Sequence, residues 1–148
     1  MLLLLHGLGA TSDVWAAGGL RGHAWVAPDL PGHGGSPALP AYTFAAVAEA
    51  VGPLVDPAGT VIVGHSFGGV IGLHLAGRPG VRALVGVGVK VAWTPEELAR
   101  AAALAGRPAP VFATRAEAVA RHLRVAGLDG LVAPDDPAVD AGVVELVP

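Results

Sequence analysis

The order of apolar runs and helical patterns in this chain predicts an α/β fold: a mostly parallel sheet with flanking helices, followed by an all-helical segment. Three observations carry that expectation. Residues 2–5, 24–28, 60–63 and 81–89 are apolar almost throughout, as strands covered on both faces are. They alternate with stretches of helical periodicity, the pattern of parallel strands joined by helical crossovers. Beyond Lys90 only helical patterns remain.

Leu2 to Leu5 form a continuous apolar run that His6 and Gly7 end. Thr11, Ser12 and Asp13 are capping types for a short helix holding Val14 and Trp15. AWVAP, residues 24–28, is a second strand that closes on Asp29, and PGHGGSPALP, residues 31–40, is a turn-rich loop. Residues 42–55 read as a helix, with Phe44, Val47, Val51 and Leu54 at three- to four-residue spacing, and Pro57-Ala58-Gly59 breaks it. A third strand over residues 60–63 leads into a helix over 66–76, and residues 81–89 form a fourth strand ending at Lys90. Thr94-Pro95-Glu96-Glu97 is a capping box with proline at the first helical position, and Gly106 and Pro108 mark the exit. Thr114 and Glu117 repeat the device, with Gly127 closing the helix. The run Pro134-Asp135-Asp136-Pro137 predicts a loop with no final element after it.

Composition narrows the function classes. The chain has 148 residues, the size of one domain, and with 53% hydrophobic and 14% charged residues it can bury a core. A net charge of −3 and the lack of any Lys/Arg cluster argue against a nucleic-acid surface. The absence of cysteine excludes disulfides, thiolate metal sites and thiol nucleophiles. The apolar run at residues 2–5 lacks a basic start and is too short for a leader, and no apolar stretch is long enough to span a bilayer. The expectation is a soluble cytoplasmic protein that acts on a small molecule, without metal or cofactor.

One junction carries chemistry. Gly64-His65-Ser66-Phe67-Gly68 fits G-x-S-x-G, directly after a predicted strand and directly before a predicted helix. Such a turn presents a serine hydroxyl at a strand's carboxyl end. Its glycines remove side chains that would collide in so sharp a bend. The helix N-terminus beneath offers free N–H groups and a partial positive charge that favour an oxyanion. The N–H of Phe67 would be one donor, and the other must come from a loop after an earlier strand, such as His6-Gly7-Leu8-Gly9.

Three landmarks, HGLG at residues 6–9, DLPGHGGS at 29–36 and GHSFGG at 64–69, make the chain resemble the α/β-hydrolase superfamily, in particular esterase-like members with a helical cap. The resemblance implies a partial α/β-hydrolase core over residues 1–90 and a partial helical cap over residues 91–148. It implies Ser66 as nucleophile, the N–H groups of Leu8 and Phe67 as the oxyanion hole, and acyl chemistry on an ester or related small apolar substrate. His6, Gly7, Asp29, Gly64, His65 and Gly68 would shape these motifs. Asp29 and Ser36 are expected to order the loop after the second strand, and His33 to be solvated. Lys90 and Trp93 are candidates for the substrate pocket.

A competing pattern exists at the N-terminus. Gly7, Gly9 and Ser12, with Asp29 after the next strand, imitate a dinucleotide-binding fingerprint. Its third small position is serine, His6 occupies the turn, and it leaves the Ser66 junction unexplained.

A serine hydroxyl needs a base, and the base needs an acid to orient it. In this fold the order is Ser, acid, His. Only two histidines follow Ser66. His74 lies about 12 Å along the following helix at about 1.5 Å per residue, out of reach, and reads as a packed helix residue. His122 falls inside a helix, where Glu96, Glu97 and Glu117 before it read as capping and first-turn acids. Asp129, Asp135, Asp136 and Asp140 come after it. By resemblance, the acid and histidine follow strands beyond the cap, and two further strands precede Leu2. The expectation is therefore a core truncated at both ends, with exposed sheet edges and marginal stability. The contrasting class is a non-catalytic remnant that folds weakly or only binds.

Overall fold

A computed structural model of the chain describes residues 1–18, 22–108, 110–126, 128–140 and 142–143. The chain forms two compact units, Met1–Val89 and Lys90–Pro148.

The first unit is a four-stranded sheet, β1 (Leu2–Leu5), β2 (Trp25–Val26), β3 (Thr60–His65) and β4 (Val81–Val87), in the order β2-β1-β3-β4. All three pairings are parallel. A 3₁₀ helix over Ser12–Gly18 follows β1; α1 (Phe44–Val51) and α2 (Phe67–Leu75) supply the later crossovers. The register sets Leu5 of β1 beside Gly64 of β3, and Gly64 beside Gly86 of β4.

Alternation along the strands sends Leu3, Leu5 and Ile62 to one face. There they meet Val47, Ala48 and Val51 of α1 and Ile71 and Leu75 of α2 in one buried cluster. Burying each such Leu, Ile or Val contributes about 1.5–3 kcal/mol, so this layer is the main source of the unit's stability. Leu4, Val61, Val63, Val85 and Val87 point to the other face. Leu4 is fully buried, but Val85 and Val87 are 48% and 50% exposed, so cover fades toward β4.

Three elements of this unit depart from the sequence expectation. The second strand is only Trp25–Val26, at the sheet edge and exposed, where little packing rewards a longer ladder. The helix expected over 42–55 is α1 followed by a 3₁₀ turn at Gly52–Leu54, because Pro53 cannot donate to the α-helical ladder. Its apolar face uses Ala48 rather than Phe44, which is about half exposed. β4 ends at Val87, and Gly88 follows at φ 61°, so Lys90 lies beyond the strand.

The second unit holds α3 (Pro95–Ala105), α4 (Arg115–Ala126) and α5 (Pro137–Asp140). The Thr94 hydroxyl accepts from the Glu97 N–H at 3.2 Å while the Glu97 carboxylate accepts from the Thr94 N–H at 3.0 Å. Thr114 and Glu117 make the same reciprocal pair at 3.2 and 3.3 Å. The loop expected after Ala133 contains α5, begun by Pro137, and Val139 on it packs with Val119 and Leu123 of α4. Gly127, the expected end of α4, is outside the described residues. Among the described residues no helix is long and apolar enough to cross a membrane.

Candidate active site

In a parallel sheet all the loops after strands emerge at one edge, and the order β2-β1-β3 makes the gap between β1 and β3 the place where connections diverge. His6, Gly7 and Leu8 leave β1 there, beside His65 and Ser66 leaving β3. A Cβ built on Gly7 would stand 3.6 Å from the Ser66 Cβ and 2.7 Å from His65 Nδ1, which measures how closely the two loops approach.

Ser66 adopts φ 48°, ψ −113°, and is the one non-glycine residue at positive φ among the described residues. That conformation is sparsely populated and costs about 1–3 kcal/mol. It is held from both sides. The Ser66 N–H donates to the Val87 carbonyl at 2.8 Å, and the Ser66 carbonyl accepts from Gly69 and Val70 at 3.0 and 3.2 Å. The bend also depends on absent side chains. A Cβ on Gly64 would lie 2.5 Å from the Gly68 carbonyl oxygen, and one on Gly68 would lie 2.3 Å from that of Leu5.

Ser66 stands at the N-cap position of α2, yet its side chain makes no capping bond. A serine placed there for helix stability would spend its hydroxyl on a free N–H of the first turn. This one leaves its hydroxyl uncommitted. Among the hydrogen bonds of the described residues, none uses the N–H of Phe67 or that of Leu8. Leu8 itself is exposed. The turn thus brings together a strained serine, an unspent helix N-terminus and a second unspent N–H on the neighbouring loop.

His6 is fully buried beneath that loop. Its Nε2 accepts from the Leu30 N–H at 2.9 Å, which places the proton on Nδ1, and Nδ1 donates to the Gly7 carbonyl at 2.8 Å. Burial pushes its pKa below the usual histidine value, and the nearby His33 adds to that, against the Gly7 bond and Asp29. Neutral His6 is therefore a strut between the loop after β1 and the loop after β2.

Asp29 ties the same two loops from outside. Its Oδ1 accepts from the Ser12 N–H at 2.8 Å and its Oδ2 from the Gly35 N–H at 2.9 Å. Partial burial raises its pKa, but these bonds, the Ser12 hydroxyl and His6 outweigh that and hold the carboxyl below its usual value. Both Asp29 oxygens are engaged by backbone N–H groups of this chain, so its place in the loop is accounted for without a ribose.

Two histidines differ from expectation. His33 is half-buried, not solvated: its ring meets His6 edge-on at 5.0 Å between centroids and stacks on Phe67 at 6.2 Å. His74 is exposed, not packed in the core, and its ring lies 6.0 Å from that of Phe44. His65 is exposed and has Gly7 on one side and Gly88 on the other. His33 is the site-flanking residue that sequence reasoning missed; a loop histidine has no periodicity to betray its neighbours.

In the second unit, the Lys90 ammonium pairs with the Glu97 carboxylate and sits 5.0 Å over the Trp93 ring. Its charge is thus met locally, at the start of α3. His122 packs on Gly142, whose added Cβ would stand 2.6 Å from its ring. A groove of about 450 Å³ runs along α4, lined by Val119 and Leu123 with Arg115 and Asp129 at its margin. Among the described residues, no group of three His, Asp or Glu side chains could hold a metal ion.

Known proteins are similar to parts of this chain. Lipase LipV of Mycobacterium tuberculosis is 40% identical over 80 residues, 51% of this chain and 31% of that protein. The pimeloyl-[acyl-carrier protein] methyl ester esterase of Aromatoleum aromaticum is 42% identical over 83 residues, 52% of this chain and 31% of that protein. The match thus spans about a third of the length of these curated relatives. Among solved structures, a hydrolase from Pseudomonas aeruginosa PA01 aligns with a TM-score of 0.68 at 25% identity, covering 95% of this chain and 56% of that one. Residues 2–147 match the profile of the alpha/beta hydrolase family. With the parallel sheet, the glycine-flanked bend and the strained serine already in place, the chain belongs to the alpha/beta hydrolase family.

Proposed function

We propose that this chain carries the nucleophile and oxyanion site of a serine esterase acting on a small, apolar carboxylic ester. Ser66 Oγ attacks the acyl carbon, the N–H groups of Leu8 and Phe67 receive the oxyanion, the alcohol departs, and water releases the acid from the acyl-enzyme. The observation that carries this reading is Ser66 itself, held at φ 48° with its hydroxyl left out of helix capping. The ester specificity is drawn from the lipase and methyl ester esterase among its relatives. By its place in the chain, the segment 91–148 is read as a partial helical cap, with Lys90 and Trp93 as its candidates for substrate contact. No cofactor takes part.

Attack also requires a base for the hydroxyl proton. Among the described residues no hydrogen bond reaches Ser66 Oγ, and that favours a second reading: a scaffold that keeps the nucleophile site without turnover. A fluorophosphonate probe and a p-nitrophenyl ester separate the two. Labelling at Ser66 and ester turnover, both lost in Ser66→Ala, support the esterase; a folded chain that neither labels nor turns over supports the scaffold.

A further inference from the structure

We propose that His33 is a positioning residue for the two backbone donors, Leu8 N–H and Phe67 N–H. This rests on the oxyanion role given to them above. The two donors belong to segments far apart in sequence, one after β1 and one opening α2. Their separation is set by the pairing of β1 with β3, by the close approach of Gly68 to Leu5, and by the side chains packed between the two loops.

The His33 ring is placed to do this. Its edge meets His6 at 5.0 Å and a 64° interplanar angle, while it stacks on Phe67 at 6.2 Å and 30°. His6 is the strut under Gly7 and Leu8, through Nδ1–H to the Gly7 carbonyl. Phe67 is the residue whose own N–H is the other donor. One imidazole thus touches the anchor of the first donor and the side chain of the second. The ring is itself fixed: Nδ1 lies 3.1 Å from the Pro31 carbonyl oxygen, and the His33 N–H donates to the Leu30 carbonyl at 2.9 Å. Leu30 in turn donates to His6 Nε2 at 2.9 Å, so the histidine pair and the loop between them close a ring of contacts. On the far side, Phe44 meets Phe67 at 6.0 Å and backs it against the wedge.

Stacked and edge-on aromatic contacts have preferred geometries, and a gap as small as 1 Å at a reacting centre can cost about a hundredfold in rate. Removing the wedge should loosen the Leu8 loop first, since that segment is exposed, whereas Phe67 retains the helix behind it.

Two readouts on the full chain test the idea. The first is the backbone ¹⁵N order parameter of Leu8 and Phe67. His33→Ala should lower both, with Leu8 falling below about 0.6, while amides of α4 stay unchanged. His33→Phe, which keeps a ring, should restore them; His33→Asn, which keeps only a donor toward Pro31, should not. Unchanged order in His33→Ala, or rescue by Asn and not by Phe, overturns the proposal. The second is fluorophosphonate labelling of Ser66. His33→Ala should slow the bond-forming rate about ten- to a hundredfold with the probe's binding constant unchanged, and His33→Phe should recover most of it. An unaltered rate, or a loss confined to binding, also overturns it. Should wild-type chain fail to label while the order parameters respond as expected, the esterase reading falls and the positioning role stands.

Discussion

Replacing Ser66 tests the strain at the bend without requiring turnover. Ser66→Ala keeps a Cβ at φ 48° and removes the hydroxyl; Ser66→Gly removes both. Because the hydroxyl makes no capping bond, its loss should change unfolding free energy by less than about 0.5 kcal/mol, the range of substitutions that touch nothing. A capping serine would instead lose about 1 kcal/mol. Going on to glycine releases the steric cost of the conformation, about 1–3 kcal/mol. Against this stands the extra freedom of an unfolded glycine, about 0.5–1 kcal/mol. The difference leaves Ser66→Gly more stable than Ser66→Ala by up to about 2.5 kcal/mol, or up to about 10 °C at about 2–4 °C per kcal/mol. Urea unfolding followed by far-UV circular dichroism on the three proteins measures it. If glycine proves less stable than alanine, the bend does not store the strain assigned to Ser66.

Three further outcomes are expected. Stability should fall with acid in two stages. His6 has a lowered folded pKa, so its contribution is complete above about 6.5 and is lost as pH falls below that; Asp29, also lowered, follows below about 3.8. Urea midpoints across pH check this, and Asp29→Asn should shrink the lower stage. Gly68→Ala places a Cβ 2.3 Å from the Leu5 carbonyl oxygen, against a backbone that cannot swing aside, and should cost about 3 kcal/mol or more; Gly77→Ala, with nothing within 4 Å, should be neutral or gain up to about 1 kcal/mol. Equal urea midpoints for the two would show that α2 does not press on β1. Finally, Lys90→Ala should raise the Glu97 pKa, since the Lys90 bond is the largest cause of its lowering, with the Thr94 N–H second; carboxyl ¹³C titration that shows no rise would contradict the pairing.

The parts of the fold most legible in the sequence are those where burial leaves little choice. Leu2–Leu5 and Thr60–His65 are the two central strands of the sheet, buried along much of their length, so most of their positions had to be apolar. Trp25–Val26 sits at the edge, where partial exposure relaxes that demand and a five-residue reading shrank to two. The Ser66 bend was legible because geometry and chemistry require the same glycines. Asp29 was readable as a loop organiser, but its second partner, Ser12, lies 17 residues away and only the fold could supply it. His33 was misread for the same reason: its neighbours His6 and Phe67 are brought by different strands. α5 had a local signal, Asp136-Pro137, that a run of loop formers concealed.

The torsion at Ser66 also has an evolutionary reading. At most positions a side chain that is no longer needed drifts among near-equivalents, because stability barely distinguishes them. Here the gradient points one way, from serine toward glycine, and it is steep on the scale of a marginally stable fold. A descendant with no use for the hydroxyl would become more robust by exchanging the serine for glycine, and many other substitutions in the core could then be absorbed by the stability released.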